Sequence, residues 1–479
     1  MSQIPVTQIE NDGAPRRGTH NGPWFESRKK IYVREVKGVY QRIRSWSLSV
    51  LLLSYFGLCW IQVEGSPLIH FDLPNRKFTL FGTVFWPQDF ALLGFALIIC
   101  AFGLFFITAL FGRVWCGYSC PQTVWTFMFM WLEERIEGSR QQRIRLDKSP
   151  LSGNKALRKV LKHLSWLVLA FATGFSFVGY FYPAPELARD LFTFSLSSGW
   201  ALFWILFFTV ATYINAGWLR EQVCLYMCPY ARFQSVMFNE DTLVIGYDAL
   251  RGEPRGKYRA LKNDPNPEMA GVMKGDCVDC RVCVQVCPTG IDIRDGLQYE
   301  CIGCALCIDA CDEIMEKLEQ PKGLIRYASE RQFQAPLVAS GKNWRALGYG
   351  GSLMVAIFCF LVILMNRPLV ELEVHRDRGA LYQVTGVGDV ENNFALRVIN
   401  KQKLSEEMDI SISGVEGRWH GPSRLTLSPG EMRTITGALE VKQGDLQKLQ
   451  TPISFHISSR RDGGPEAHFE TLFWRPVDL

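Results

Sequence analysis

The sequence predicts an α-helical membrane protein with five transmembrane helices, followed by an all-β sandwich at the C-terminus. Five long apolar segments support the first part, and a tail of short alternating runs supports the second. A third observation is that most cysteines lie between the apolar segments. Hydrophobic residues make up 48% of the chain and the net charge is only +5, so nothing indicates a nucleic-acid partner.

Each apolar segment is long enough to cross a bilayer, which requires roughly 20 residues. The third and fourth segments contain no charged residue. One such run could be a buried helix of a soluble protein, but five indicate a polytopic membrane protein. The segments lie at about 46–63, 88–111, 164–182, 197–219 and 346–365.

The basic residues predict the orientation of the chain. Lys and Arg number nine, two, ten and one in residues 1–45, 64–87, 112–163 and 183–196. Basic connections stay in the cytoplasm, so the N-terminus, the third of these connections and residues 220–345 are predicted to be cytoplasmic. With five spans, the tail then lies on the opposite side.

These observations divide the chain into five predicted parts. The first is polar and without periodicity, and we expect it to be disordered and cytoplasmic. The parts are the N-terminus (1–30), four transmembrane helices as two repeated hairpins (31–239), a cysteine-dense cytoplasmic domain (240–344), the fifth transmembrane helix (345–366) and the sandwich (367–479).

The tail predicts the sandwich through its pattern of runs. Seven runs alternate polar and apolar residues, among them "NFALRVIN", "MDISISG" and "PISFHISS". Turn residues separate them at a spacing of about ten residues, which is typical of immunoglobulin-type sandwiches. We therefore expect seven strands.

The fifteen cysteines fall into two groups. Cys59, Cys100 and Cys359 lie within the apolar segments and are expected to be packing residues. The other twelve lie on the predicted inner side, and none lies in the tail, where disulfides would be expected. The twelve are therefore predicted to serve metal or redox chemistry.

Residues 277–311 contain two copies of the spacing C-x2-C-x2-C-x3-C, which is the pattern of two-cluster ferredoxins. In that pattern the fourth cysteine of each copy ligates the cluster of the other copy. The first predicted [4Fe–4S] ligand set is Cys277, Cys280, Cys283 and Cys311. The second set is Cys301, Cys304, Cys307 and Cys287. Two structural zinc sites are the alternative. One departure is Asp312, which follows Cys311 where the other copy has Pro288.

Two further cysteine pairs share the pattern C-x-Y-x-C-P. They occur in "GRVWCGYSCPQTVWT" and "REQVCLYMCPYARFQ", and each follows two apolar segments. We interpret them as an internal repeat that brings both pairs to the inner face. The first pair is Cys116 and Cys120, and the second pair is Cys224 and Cys228.

The prolines after the pairs predict local structure. Pro121 and Pro229 are favoured at the first position of a helix, so a helix is expected to begin at each. Cys120 and Cys228 would then lie at helix N-termini, where the dipole lowers the pKa of a thiol.

Four thiolates beside an electron relay suit a soft metal such as Cu(I), or a redox-active thiol pair. Independent dithiol switches and purely structural cysteines are the alternatives. Nearby methionines are expected to be core residues: Met128, Met130, Met227 and Met237. Haem is not expected, because His70 and His163 lie at opposite faces of the membrane. The sequence contains no C-x-x-C-H attachment site, Walker A loop or dinucleotide fingerprint, so electrons are expected to arrive from a partner or a diffusible carrier, and the donor is unknown.

These stretches together resemble the FixG/RdxA/CcoG family of accessory proteins for cbb-type cytochrome c oxidase. The resemblance extends from about residue 25 to the end of the chain. It implies a bacterial inner-membrane protein that reduces Cu(II) to Cu(I), with a periplasmic tail and two [4Fe–4S] clusters. The implied catalytic residues are Cys116, Cys120, Cys224 and Cys228.

The resemblance also implies partners. These are copper ions, a copper-exporting P-type ATPase, and oxidase subunits or assembly factors; a homodimer is a further expectation. The same motifs occur together in NapH-type quinol dehydrogenases, which leaves two other hypotheses. In one, the pairs shape a quinone or third-cluster site; in the other, the protein is a copper-binding scaffold whose clusters are structural.

Overall fold

The computed structural model describes residues 30–476, apart from short gaps. The gaps are residues 64, 194–198, 257–274, 335–342, 377–380, 387, 403, 447 and 462. The predicted disordered N-terminus therefore lies outside the described residues, except for Lys30.

Among the described residues, five helices are long and apolar enough to cross a membrane, which is the number predicted from the sequence. We call them spans one to five. They are Val39–Trp60, Pro87–Phe111, Gly153–Gly179, Gly199–Leu219 and Trp344–Met365.

Spans one and three begin earlier than their apolar segments predict. Span three begins at Gly153, where Ser152 accepts a hydrogen bond from the backbone N–H of Lys155. The added turns carry basic residues, and Arg44 and Lys162 among them are buried. Charge does not end these helices, because Arg44 finds a protein acceptor in the carbonyl of Cys304 and Lys162 is paired with Glu137.

The spans do not pack as two equivalent hairpins. Span three packs along span four, but span two packs along span five, and span one contacts span three and the helix Leu306–Lys317. Gly174 marks the closest approach of spans three and four, because a Cβ there would lie 2.5 Å from the carbonyl oxygen of Ile205.

The cysteine-dense domain lies at one end of the spans, which we call the ferredoxin side. Its strands Val244–Tyr247 and Ile325–Ala328 pair antiparallel. The backbone N–H of Leu243 donates to the carbonyl of Leu110 at 3.0 Å, so the domain begins at the end of span two. Its helices are Ala249–Gly252, Val282–Gln285, Ile293–Asp295 (3-10), Leu306–Lys317 and Glu330–Gln334.

Shorter elements connect the spans. On the ferredoxin side these are Val114–Tyr118, Pro121–Glu137, Arg140–Lys148, the π-helical turns Tyr213–Leu219 and Val223–Met227, and Pro229–Met237. On the other side they are the helix Ala184–Phe192, the strand pair Gln62–Val63 and Ser66–Pro67, and a three-stranded sheet of Ile69–Asp72, Lys77–Leu80 and Thr83–Phe85.

The tail is an all-β sandwich, as predicted. One sheet has the order Gly417–His420, Met432–Val441, Val390–Asn400 and Val370–Arg376, with Gln383–Val384 also paired to Val390–Asn400. The other has the order Arg424–Leu427, Glu406–Ser413, Gln450–Ser459 and Glu466–Trp474. Side chains such as Leu396, Met408 and Phe455 fill the space between the sheets.

The prediction of seven strands was wrong, since the described part of the tail contains nine. Val370–Arg376 was missed because it begins only a few residues after span five. Gly417–His420 was missed because it is a four-residue edge strand in which all but Trp419 are exposed. Such a strand carries little alternation for a sequence pattern to detect.

A buried ion cluster fastens the sandwich to the membrane helices. Asp89, at the start of span two, lies 2.6 Å from Arg367 and 2.9 Å from Lys401. Lys401 also lies 2.7 Å from Glu371 in the first strand of the sandwich. One carboxylate thus neutralises two cations that follow span five, which fixes the sandwich beside spans two and five.

We predict that Asp89→Asn loosens this junction, because two buried cations would lose their shared carboxylate. Breaking a buried pair costs about 3 kcal/mol. The unfolding midpoint in detergent should fall, and protease should cut the segment between span five and the sandwich more readily. Asp445→Asn, at an exposed site in the same sandwich, is the control and should change neither measurement.

Candidate functional site

The eight cysteines of the cysteine-dense domain form two groups. Cys277, Cys280, Cys283 and Cys311 line one cavity. Cys287, Cys301, Cys304 and Cys307 line a second, which Cys283 also touches. This grouping is the one that the spacing predicts. Iron ligation itself stays a prediction.

The two ligand loops share an unusual backbone. Asp279 and Arg281 flank Cys280 with φ of 47° and 53°, and Gly303 and Ala305 flank Cys304 with φ of 68° and 59°. Three of these four residues are not glycine, so the left-handed conformation is costly. Turns of this kind direct backbone N–H groups into one concavity and favour an anionic ligand.

The donor set and the loop shape therefore fit two thiolate-bound iron–sulfur clusters. Burial raises the pKa of Cys283, Cys301 and Cys311 to about 12, so iron must displace protons when it binds. A bound [4Fe–4S] cluster supplies one-electron transfer.

The two C-x-Y-x-C-P pairs lie on equivalent but not identical turns. Cys120 and Cys228 precede the helices Pro121–Glu137 and Pro229–Met237, whose first residue is the proline. The predicted helix starts are confirmed. Cys116 lies in an α-helical turn, whereas Cys224 lies in a π-helical turn.

The two pairs lie near each other, and we call their four thiols the four-cysteine site. Burial is the main reason that the pKa of Cys116 rises to about 12, and Cys120 and Cys224 both contribute. Burial likewise raises the pKa of Cys224 to about 11, with contributions from Cys120 and Cys228. Each pair is therefore within electrostatic reach of the other.

The four thiols do not enclose a single point. Within the described residues, no three Cys, His, Asp or Glu side chains are arranged to hold one metal ion, and this applies to the ferredoxin cysteines as well. Of the nearby methionines, Met130 is buried and Met227 is exposed.

Reciprocal contacts hold the two repeats together. Arg113, three residues before the first pair, donates to the carbonyl of Ala231 at 2.7 Å, on the helix that follows the second pair. Arg220, four residues before the second pair, lies 2.7 Å from Glu133 on the helix that follows the first. Each pair is thus anchored to the other repeat.

Two glutamines make further contacts between the repeats. The Cys116 thiol donates to Gln234 at 3.3 Å. Gln122 donates to the carbonyls of Asn215 and Arg220 at 3.0 and 3.1 Å. Hydrogen bonds therefore link the first pair and the helix that follows it to the backbone and the helix on either side of the second pair.

The first pair also contacts the second ferredoxin ligand set directly. A Cβ on Gly117 would lie 2.8 Å from the carbonyl oxygen of Gly303 and 2.9 Å from the Cα of Cys304. The contact is backbone to backbone and has no room for a methyl group. The equivalent residue of the second pair is Leu225, so only the first pair can accept this loop.

Two arginines fix the loop in place. Arg113 donates to the carbonyls of Tyr299 and Cys301 at 2.5 and 3.2 Å. Buried Arg44, from the early turns of span one, donates to the carbonyl of Cys304 and lies over the ring of Tyr118 at 5.5 Å. The second ligand set is therefore the one that adjoins the four-cysteine site.

Sequence analysis did not find Gly117, Arg44 or Arg113. The glycine had a signal, since it differs between two otherwise similar pairs. The arginines gave no signal in the sequence beyond their position, because a basic residue at the edge of a span is ordinarily a solvated anchor.

Three protein-family models match the chain. A model described as "4Fe-4S binding domain" matches residues 93–136, and one described as "4Fe-4S dicluster domain" matches residues 219–330. A model described as an "IG-like fold at C-terminal of FixG" matches residues 360–476.

Relatives resemble the chain over most of its length. "Nitrogen fixation protein FixG" of Rhizobium meliloti is 37% identical, covering 88% of this chain and 85% of its own. "Protein RdxB" of Cereibacter sphaeroides is 37% identical, covering 95% and 98%. "Protein RdxA" of the same organism is 35% identical, covering 82% and 84%.

We predict that Gly117→Ala separates the first pair from the loop of Cys304, because the added methyl group has no space. Anaerobic stopped-flow should show slower electron transfer from the predicted clusters to an acceptor bound at the four-cysteine site, by about tenfold or more. Iron content should stay the same. Gly103→Ala, in span two where a Cβ meets nothing within 4 Å, is the matched control. Equal rates in both variants would contradict the assigned contact.

Proposed function

The chain belongs to the FixG family, and from this premise we propose that it is a membrane cupric reductase that supplies Cu(I) for assembly of a cbb-type cytochrome c oxidase. It is a ferredoxin-type iron–sulfur electron-transfer protein with five apolar helices and an immunoglobulin-like tail. The observation that carries the proposal is the packing of Gly117 on the Cys304 loop, which connects the ferredoxin ligands to a second thiol site.

The four-cysteine site suits copper as the substrate. Thiolates are soft ligands and favour Cu(I) over Cu(II), so binding there assists the one-electron reduction of Cu(II). The role of the chain is to bring thiols from both repeats together and to exclude water. Arg113, Gln234 and Gln122 maintain that arrangement through the contacts between the repeats.

The proposal includes location and partners. The protein would lie in the bacterial inner membrane with its ferredoxin side in the cytoplasm and its sandwich in the periplasm, as the alternation of Lys and Arg favours. A copper-exporting P-type ATPase and oxidase subunits or assembly factors would be its partners.

A second candidate function is an electron relay in which the four-cysteine site holds a third iron–sulfur cluster. The match of a "4Fe-4S binding domain" to residues 93–136 favours it, because that segment contains the first pair. In this case copper would not bind between the four thiols.

We predict that the two pairs act as one site. Replacing Cys116 and Cys120 by serine should abolish cupric reduction as fully as replacing Cys224 and Cys228, or all four. Each pair is anchored to the other repeat, so losing either pair removes ligands that a shared site requires. Copper binding and cupric reduction should be measured with iron content checked, and Cys359→Ser in span five is the control. Partial losses that add in the fourfold variant would instead indicate independent dithiol switches.

The iron content separates the two candidate functions. Anaerobically purified protein should contain about eight irons per chain, from two four-iron clusters. The third-cluster hypothesis predicts about ten to twelve, falling to about eight in the fourfold serine variant. Iron and acid-labile sulfide should be measured on the same samples.

Reporter fusions test the orientation. An enzyme that is active only outside the cytoplasm should be active when fused after residue 476 and inactive when inserted near residue 260. If both fusions were active, or both were inactive, the two positions would lie on the same side of the membrane, which would contradict the five-span topology.

A further inference from the structure

A further cavity, which we call the His163 cavity, lies at the ferredoxin-side ends of spans three and four. Its volume is about 400 Å³, within the range of small-molecule sites. Span three contributes Lys162, His163 and Trp166, and the π-helical end of span four contributes Trp218. The four-cysteine site does not use these side chains.

The cavity touches both redox centres of the protein. Pro288, which follows the predicted ligand Cys287, forms part of its wall. Glu221, another wall residue, lies near enough to Cys224 to raise the pKa of that thiol. A molecule bound here would lie beside the predicted cluster ligands and the second pair at once.

The aromatic residues of the cavity suit a planar ring. The His163 ring lies 6.4 Å from that of Trp218 with an interplanar angle of 20°, and it meets Trp166 edge-on at 5.3 Å. Its Nδ1 lies 2.8 Å from the hydroxyl of Tyr213. In the tautomer whose Nδ1–H donates to Tyr213, Nε2 is left free to accept a proton from a ligand.

The charged residues of the wall do not suit a free anion. Arg220 lies 2.7 Å from Glu133, and Lys162 lies 3.0 Å from Glu137. Lys30 and Lys159, the other two cations of the wall, each lie 2.6 Å from Asp147. Because all four cations are paired with carboxylates, they provide polar walls and little net positive charge. This argues for a neutral ligand with hydroxyl groups over a phosphate.

Another cavity on this side is less suitable. It measures about 210 Å³ and is lined mainly by apolar residues such as Phe111, Phe238 and Leu243, with no histidine or carboxylate. It also touches Cys301, but it offers no proton acceptor at neutral pH.

We propose that the His163 cavity binds a membrane quinol, which is the electron donor of the protein. A quinol reaches this position through the lipid, since Trp218 is exposed at the end of span four. The proposal rests on the proposed function for its acceptor: one quinol and two Cu(II) yield one quinone, two Cu(I) and two protons. His163 accepts one hydroxyl proton, and the second is released to water at the open side of the cavity.

Binding can be tested without activity. The full-length holoprotein would be illuminated with an azido-ubiquinone and the labelled peptides mapped by mass spectrometry. Label should appear in residues 159–166 or 213–221, and excess decylubiquinone should remove it. Label at Phe111 or Phe238, or label that decylubiquinone does not displace, would overturn the site.

Electron delivery is then measured with decylubiquinol under anaerobic conditions. His163→Gln should slow bleaching of the iron–sulfur absorbance by about 100-fold, since it removes the proton acceptor. Trp218→Ala should mainly weaken quinol binding, raising KM. The matched controls are His70→Gln and Trp200→Ala, which lie at the opposite ends of the spans. Equal effects of His163→Gln and His70→Gln would overturn the proposal.

Dithionite separates this proposal from the proposed function. It reduces the protein without the quinol, so His163→Gln and Trp218→Ala should reduce Cu(II) at the normal rate once excess dithionite, which reduces Cu(II) by itself, has been removed. If quinol reduces the wild-type protein but Cu(II) is never reduced, the cupric reductase assignment fails and the quinol site stands. If dithionite drives Cu(II) reduction and quinol gives no bleaching, the quinol site fails alone.

Discussion

The backbone contact between Gly117 and the Cys304 loop is the constraint on which the rest of the ferredoxin side depends. Because a methyl group cannot fit there, the backbone at Gly117 and the backbone of the Cys304 loop are in direct contact. Arg44 and Arg113 satisfy the carbonyls of Cys304 and Cys301 at this junction. The buried guanidinium groups thus have hydrogen-bond acceptors. The second ligand set is the nearer of the two to the four-cysteine site.

This constraint explains why the two repeats differ although their motifs match. The first pair has Gly117 and a buried Tyr118, because the ferredoxin loop covers it. The second has Leu225 and Tyr226, which is 73% exposed, and it lies on a π-helical turn. A symmetric pair of loops could bring four thiols together, but only an asymmetric one leaves a single docking place for the ferredoxin domain.

Much of the architecture could be predicted from the sequence, since hydrophobic length and cysteine spacing are local signals. These signals predicted the five spans, the grouping of Cys311 with the cysteines of the first loop, and the helix starts at Pro121 and Pro229. The left-handed Asp279 and Arg281 could not be predicted, because the fold imposes that conformation on residues that do not prefer it. The early start of span one was also missed, since its basic turns pack on a distant part of the chain.

The central claim is that copper binds between the two cysteine pairs, beside the second ferredoxin ligand set. Anomalous diffraction from crystals of the copper-loaded protein, recorded at the iron and copper edges, tests it most directly. The account predicts copper among Cys116, Cys120, Cys224 and Cys228, with the iron bound by Cys304 and its partners as the nearer of two iron sites. Iron among those four cysteines, or copper bound elsewhere, would contradict it.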